Sequence, residues 1–389
     1  MEWDIIEWVD ANSTTLIDLS REIHDHPELS GAEHRAASLH AGLLRKKGFL
    51  VEQPFMGMDT AFQAVYDSGQ PGPCVAYLAE YDALPEIGHG CGHNLLGAVS
   101  TFAGLALSRV VSQAGGRVVV LGCPAEETNG AKVQMAANGV FDRIDVAMLA
   151  HPYYRFQESG SSAALQALRF EFFGKEAHAA DAPDAGINAL DGVLALFRYV
   201  DGIKMCQSNA LSINGIISNG GTVANVIPGY ASAEFHLRGH SGAVLEKLAK
   251  SMGNEAERIA ASIGARVKVS HYEPSYENMV TNRALSGVFA ACLRQVGQVD
   301  IAPAENSPFS LDMGNVSKVC PSIHPYFGIC NGERFDLHTK EFCFCAAQEY
   351  AHQQGLVTAK ALAITGLRVM QDKKLLAEIK KEFQSVKQC

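Results

Sequence analysis

Residues 74–109 read CVAYLAEYDALPEIGHGCGHNLLGAVSTFAGLALSR. The run from Cys74 to Ala79 is short, continuous and apolar, as a strand buried on both faces must be. A loop rich in Asp, Glu, His and Cys follows, and then Asn94 to Arg109 reads as a helix. Strand, polar loop and helix in that order is the building unit of a parallel sheet, whose neighbouring strands are reached only by a crossover. The pattern extends both ways. Upstream, Thr60 to Tyr66 predicts a strand, set off by the turn Gly69-Gln70-Pro71-Gly72. Downstream, Arg117 to Leu121 predicts a strand, Ala131 to Asn138 a helix and Asp145 to Ala150 a strand. The fold class is therefore α/β, with a mixed, mostly parallel sheet flanked by helices. Two helices precede it, one interrupted by Pro27 and one running from Glu33 to Lys47 before Gly48.

The middle of the chain follows another order. Ala164 to Phe173 predicts a strand, Asn188 to Met205 a helix, Leu211 to Ser218 and Ala231 to Leu237 two strands. Ala243 to Ser262 then predicts a helix and Ala265 to His271 a strand. Strand–helix–strand–strand–helix–strand is the order of a ferredoxin-like α+β sandwich. From Asn282 onward α/β character returns. The expected organisation is a discontinuous domain, 1–163 and 277–389, with a second domain inserted at 164–276.

Composition narrows the functional classes. The 389 residues carry 32 Lys and Arg against 42 Asp and Glu, a net charge of −10. That balance argues against nucleic acid as a partner, because phosphate binding needs a basic stripe. It argues equally against polybasic attachment to a membrane. The most apolar stretch, Leu95 to Leu107, falls short of the ~20 residues that span a bilayer. The amino terminus, MEWDIIEWVDANS, is acidic and lacks the pattern of a secretory signal. Ten cysteines without framework spacing then predict reduced thiols in a cytoplasm.

Unusual polar residues gather where strands end, which is where open α/β sheets bind ligands. Cys74 to Ala79 is followed by Glu80-Tyr81-Asp82 and by His89-Gly90-Cys91-Gly92-His93-Asn94. Arg117 to Leu121 is followed by Pro124-Ala125-Glu126-Glu127, and Asp145 to Ala150 by His151-Pro152. Imidazole, carboxylate and thiolate together suit a borderline divalent cation such as Zn²⁺ or Mn²⁺. Such a cation brings the pKa of a bound water towards ~7, and a carboxylate outside its coordination shell can carry the water's proton. Adjacent glutamates on extended backbone face opposite ways, so Glu126 and Glu127 can divide these tasks.

These segments resemble the aminoacylase and carboxypeptidase-G superfamily of co-catalytic metallopeptidases. The likeness is to the amidohydrolase branch that contains indole-acetyl-amino-acid hydrolases, p-aminobenzoyl-glutamate hydrolases and β-alanyl dipeptidases. Further matches are Arg21 to Leu29, Gly174 to Ala179, Asn225-Val226-Ile227-Pro228, Asp312 to Ser317 and Leu337-His338-Thr339. They span nearly the whole chain in the family's order. The resemblance implies a zinc-exopeptidase-like catalytic domain and an inserted lid and dimerisation domain. It implies two divalent metal ions per subunit, Zn or Mn, with Co or Ni also accommodated.

Carried over by position, the ligands would be Cys91, His93, Glu127, His151 and His338, with the Cys91 thiolate bridging. Glu126 would be general base and then acid, and Asp82 would orient a ligand. Glu80 stands where many cousins have a ligating histidine. In the lid, His178 would reach the partner subunit's site to polarise the scissile carbonyl. Asn225 and Arg238 would grip the substrate's oxygen and carboxylate, so a homodimer is implied. The expected activity is hydrolysis of the amide of an N-acyl amino acid or small dipeptide with a free carboxylate. Asn94, where auxin-conjugate hydrolases carry aspartate, points towards aminobenzoyl-glutamate-like or β-alanyl-dipeptide-like substrates.

Two rival readings stand beside this one. A cysteine hydrolase would use Cys91 as nucleophile with His93 or His151 as base, and it leaves the glutamate pair unexplained. A catalytically silent binding or regulatory homologue would keep the fold, but it would not need an intact ligand set or Glu126.

Overall fold

The computed structural model describes residues 1–206 and 211–387. The chain divides into two compact units. One comprises Met1–Ser161, Met279–Ser307 and the chain from Asp312 onward; the other comprises Ser162–Asn278 with Pro308–Leu311.

The first unit is built on a six-stranded sheet in the order Leu50–Glu52, Phe62–Asp67, Arg117–Gly122, Cys74–Ala79, Val146–Met148, Ser322–Ile323. The last four strands run parallel, and the two at the other edge pair antiparallel. Cys74–Ala79 lies between two parallel neighbours and is buried at every residue, which is why its sequence does not alternate. The next helix, His93–Ser108, is buried along its whole length. It packs against the Cys74 strand and against the long helix Glu349–Gln371. Two glycines allow the approach. A Cβ on Gly97 would lie 2.5 Å from the carbonyl oxygen of Glu80, and one on Gly104 would lie 2.4 Å from Val120 Cγ2. This contact brings His93, the first residue of the helix, to the carboxyl end of the strand. Tyr77 and Phe102 are among the large side chains of the core, each contributing roughly 1.5–3 kcal/mol by burial.

The strand expected over Asp145 to Ala150 is shorter, Val146–Met148. A separate strand, His151–Tyr153, pairs in parallel with Tyr326–Gly328. The chain thus leaves the main sheet after Met148, and His151 opens this second ladder.

In the second unit, a four-stranded antiparallel sheet has the order Arg266–His271, Ala164–Phe173, Tyr230–Gly239, Leu211–Asn219. Helices Ala189–Cys206 and Gly242–Ile263 pack on it. Phe170 and Phe235 meet edge to face at its core, with ring centroids 5.7 Å apart. The chain order and strand order are those of a ferredoxin-like sandwich. No helix among the described residues is long and apolar enough to cross a membrane.

Candidate metal centre

The carboxyl ends of the Cys74 and Arg117 strands and the start of the His93 helix define the site. Gly92, at φ +78°, makes the turn into that helix, and a Cβ there would meet Pro152 at 2.8 Å. Asp82 is buried and ties two arms of the site together. Its Oδ1 accepts the Nδ1–H of His93 at 2.9 Å, and its Oδ2 accepts the backbone N–H of Glu127 at 3.0 Å. With Nδ1 donating to Asp82, a neutral His93 presents a lone pair on Nε2. That atom is buried without a hydrogen-bond partner and lies 3.3 Å from Glu80 Oε2. Two lone-pair atoms facing each other in a buried space require a cation or a proton between or beside them.

The other ligand candidates converge there. His151 donates Nδ1–H to the carbonyl of Pro152 at 2.7 Å, which leaves Nε2 facing Cys91 Sγ at 3.5 Å. His338, held at φ +63°, donates its backbone N–H to Gly90, and its Nε2 is 3.4 Å from Glu127 Oε2. Three groups result in which the donor atoms all lie within 4.8 Å of one another: Cys91, His93 and His151; Cys91, Glu127 and His338; His93, Glu126 and Glu127. Every residue expected as a ligand falls in at least one group, and Cys91 joins two of them. This donor set of one thiol, three imidazoles and one carboxylate fits borderline divalent cations, with Asp82 and the Pro152 carbonyl fixing the tautomers.

The electrostatics carry an excess of anions. Burial pushes the Cys91 thiol well above its ordinary pKa, and the Glu127 carboxylate adds to this. Burial likewise raises Glu126, helped by Glu80, Glu127 and Asp312. Burial works against charge on His93, but Cys91 and Asp82 outweigh it and raise its pKa. His151 is held down at about 3 by burial and by His324, so it stays neutral, the form of imidazole that can coordinate a metal. An unassisted Cys91 would remain a protonated thiol, which is a poor nucleophile; a divalent cation reverses that preference.

Lys132 is the residue that sequence reading missed. It is fully buried, with Nζ 2.8 Å from Glu80 Oε1 and 2.7 Å from Asp312 Oδ1. Glu80 therefore answers to an internal ammonium. A lysine in a short helix reads as a solvated charge until the fold closes over it. Ser30 and Glu33 were missed for a similar reason: the spacing Ser-x-x-Glu is that of a helix capping box. In the structure Ser30 bonds to Asp82 and Glu33 to the backbone of Ala125.

Asn94 stands in the first turn of the His93 helix. It is buried, and its amide donates to Ser20 Oγ and to the carbonyl of Ala346. Its amide NH₂ thereby braces the helix against the segments that carry Ser20 and Ala346. His89 bonds to the carbonyl of Ile23.

The remaining expected residues belong to the second unit. His178 is exposed, and its Nδ1 accepts the backbone N–H groups of Ala180 and Asp181 at 3.3 and 3.1 Å. Those bonds leave the proton on Nε2, which can act as a donor. Val226 pairs with His178, and the Asn225 carbonyl accepts the N–H of Ala179, so Asn225 and His178 sit side by side. Arg238, half-buried, pairs with Leu165 at the far end of the sheet. Phe173, which leads towards His178, pairs with Tyr230. Eight residues of strand thus separate Arg238 from that end, roughly 27 Å at 3.4 Å per residue.

A family model described as a peptidase dimerisation domain matches residues 164–263. The chain is 34% identical over 395 residues to the Xaa-Arg dipeptidase of Mus musculus, covering 97% of this chain and 90% of that protein. It is 26% identical to a p-aminobenzoyl-glutamate hydrolase chain of Escherichia coli, covering 97% of this chain and 94% of that one. Among solved structures, the YXEP protein of Bacillus subtilis, described as a dinuclear metal-binding peptidase from the M20 family, superposes with a TM-score of 0.64 at 20% identity. That match covers 90% of this chain and 99% of that one.

Proposed function

Because this chain belongs to the M20 family and is a metal-dependent amidohydrolase of acyl-amino acids or small dipeptides, we propose that Cys91, His93, Glu127, His151 and His338 hold its two cations. The convergence of three donor groups through shared Cys91, His93 and Glu127 supports this reading. When bound, the cations supply a Lewis acid for the scissile carbonyl and a water of lowered pKa. We assign zinc or manganese to the site.

The chain's own residues carry the remaining steps. Glu126, whose proton affinity is raised by its surroundings, takes a proton from the water and delivers it to the departing amine. Asp82 keeps His93 in one tautomer and fixes the backbone of Glu127. His178 offers Nε2–H to the developing oxyanion, with Asn225 beside it. Arg238 takes the substrate's free carboxylate in its guanidinium fork. The strand from Arg238 to Tyr230 runs roughly 27 Å, longer than one small substrate, and His178 and Asn225 belong to the segments that continue from its Tyr230 end. Two copies of the chain resolve this, one lending His178 and Asn225 to the site served by the other's Arg238. The edge strand Leu211–Asn219 supports a homodimer through this domain, since it exposes Ile216 and Ile217.

For substrate we assign dipeptides ahead of other N-acyl amino acids, with a basic carboxy-terminal residue tested first, on the likeness to the mouse dipeptidase. The setting we assign is the cytoplasm, where the free cysteines of the described chain stay reduced. The decisive experiment is Glu126→Gln in metal-loaded enzyme. Turnover should fall by ~10²-fold or more with both metals retained. Near-normal turnover would remove Glu126 from the mechanism.

A further inference from the structure

Residues 28–33 lie in the connection between helix Ser13–Asp25 and helix His34–Lys46 and supply no candidate ligand. They nevertheless touch both arms of the site. The backbone N–H of Ala83 donates to the Glu28 carbonyl at 2.9 Å, laying this segment alongside the loop that carries Asp82. Ser30 Oγ donates to Asp82 Oδ2 at 2.8 Å, the same oxygen that accepts the Glu127 N–H.

Glu33 makes the second attachment, and its side chain is fully buried. Its Oε1 accepts the N–H groups of Gly31 and Ala125, both at 2.8 Å, while its Oε2 accepts the Thr60 hydroxyl at 2.9 Å. Ala125 sits at φ +58°, a left-handed conformation that a residue with a Cβ adopts at a cost. It immediately precedes Glu126. A strained backbone persists only where its surroundings over-determine it. Here the bond from Ala125 N–H to Glu33 is one constraint, and the bond from Gly130 N–H to the Ala125 carbonyl at 2.7 Å is another.

We propose that Glu33 is a positioning residue for the hydrolysis, setting the Ala125 backbone so that Glu126 meets the water, while Ser30 steadies Asp82. The proposal rests on the reading of Glu126 as proton carrier. Glu33 acts as a hydrogen-bond acceptor, so its charge is dispensable. A glutamine could accept both N–H groups on its amide oxygen and donate its NH₂ to the Thr60 hydroxyl.

The test compares Glu33→Ala, Glu33→Gln and Glu126→Gln in metal-loaded enzyme, measuring kcat, KM and metal content. Glu33→Ala should lower kcat by ~10-fold or more, with KM within about 2-fold and the metal count unchanged, as expected for a misplaced catalytic group. Glu33→Gln should stay within about 3-fold of wild type. Wild-type kcat in Glu33→Ala, a loss confined to KM, or a Gln variant as impaired as Ala would overturn the proposal. Should Glu33→Ala fail to fold, Glu33→Asp decides, because the shorter carboxylate cannot hold the Ala125 N–H and the Thr60 hydroxyl together: a drop in kcat at constant KM supports the role, and an unchanged kcat removes it. An active Glu126→Gln would bring down the parent reading and this one together. An inactive Glu126→Gln beside a fully active Glu33→Ala would remove only the positioning role.

Discussion

Lys132 and Asp312 form a buried ion pair, with Nζ 2.7 Å from Oδ1 and a second bond from the Lys132 backbone N–H to Asp312 Oδ2 at 3.2 Å. Burial opposes the ammonium, yet Asp312 and Glu80 hold its pKa well above the ordinary lysine value. Removing the cation alone leaves two carboxylates facing each other without water. Lys132→Met should therefore destabilise the metal-loaded protein by about 3–5 kcal/mol. Denaturant unfolding checks this, and a loss below ~1 kcal/mol would mean the pair is not buried as described.

Asp82 holds His93 and Glu127 at once, so its replacement should be felt at the cations. Asp82→Asn places an NH₂ where one oxygen now accepts from Ser30 and Glu127. Metal affinity should drop by about 10–100-fold, the usual effect of disturbing the residue behind a ligating histidine. Competition against a chromogenic chelator measures it, and unchanged affinity would deny Asp82 that role.

Cys91 is only 6% exposed, and its thiol is held protonated unless a cation is present. A chelator should abolish activity, with recovery on adding Zn²⁺, Mn²⁺ or Co²⁺. The metal-loaded enzyme should resist iodoacetamide. Activity that survives chelation but not alkylation would restore Cys91 as a nucleophile.

His40 gives the fold a pH dependence of its own. It is fully buried with Nδ1 2.8 Å from Thr101 Oγ1, and burial lowers its pKa from 6.5 to about 3. The unfolded chain takes up this proton near pH 6.5 while the folded chain refuses it. Stability from this group is complete above that pH and declines as pH falls towards 3, by about 1.4 kcal/mol per unit. Unfolding midpoints at pH 7, 6 and 5 should decline more steeply in wild type than in His40→Gln. Equal slopes would exclude His40 as the source.

Much of the fold was legible in order along the chain. Cys74–Ala79 announced a strand buried on both faces because it offers no polar side, and the mid-chain alternation announced a four-stranded sandwich. Cys91, His93, Glu127 and His151 were legible as candidates because each follows a buried strand, whereas His338 came from the family resemblance alone. Asn94 stands among site residues in the sequence, yet its amide turns to Ser20 and to the Ala346 carbonyl. Side-chain direction at the start of a helix depends on rotation about its axis, which composition does not reveal.

Local periodicity and the donor character of Cys91, His93, Glu126 and Glu127 were therefore set by the sequence itself, because strand, helix and donor character are properties of short segments. Only the tertiary structure decided that Lys132 answers Glu80 and Asp312, that Glu33 holds Ala125 across 92 positions of chain, and that His93 turns Nε2 towards the site. A buried polar group takes its partner from whatever the closed fold brings within hydrogen-bond reach, and that pairing has no period along the chain.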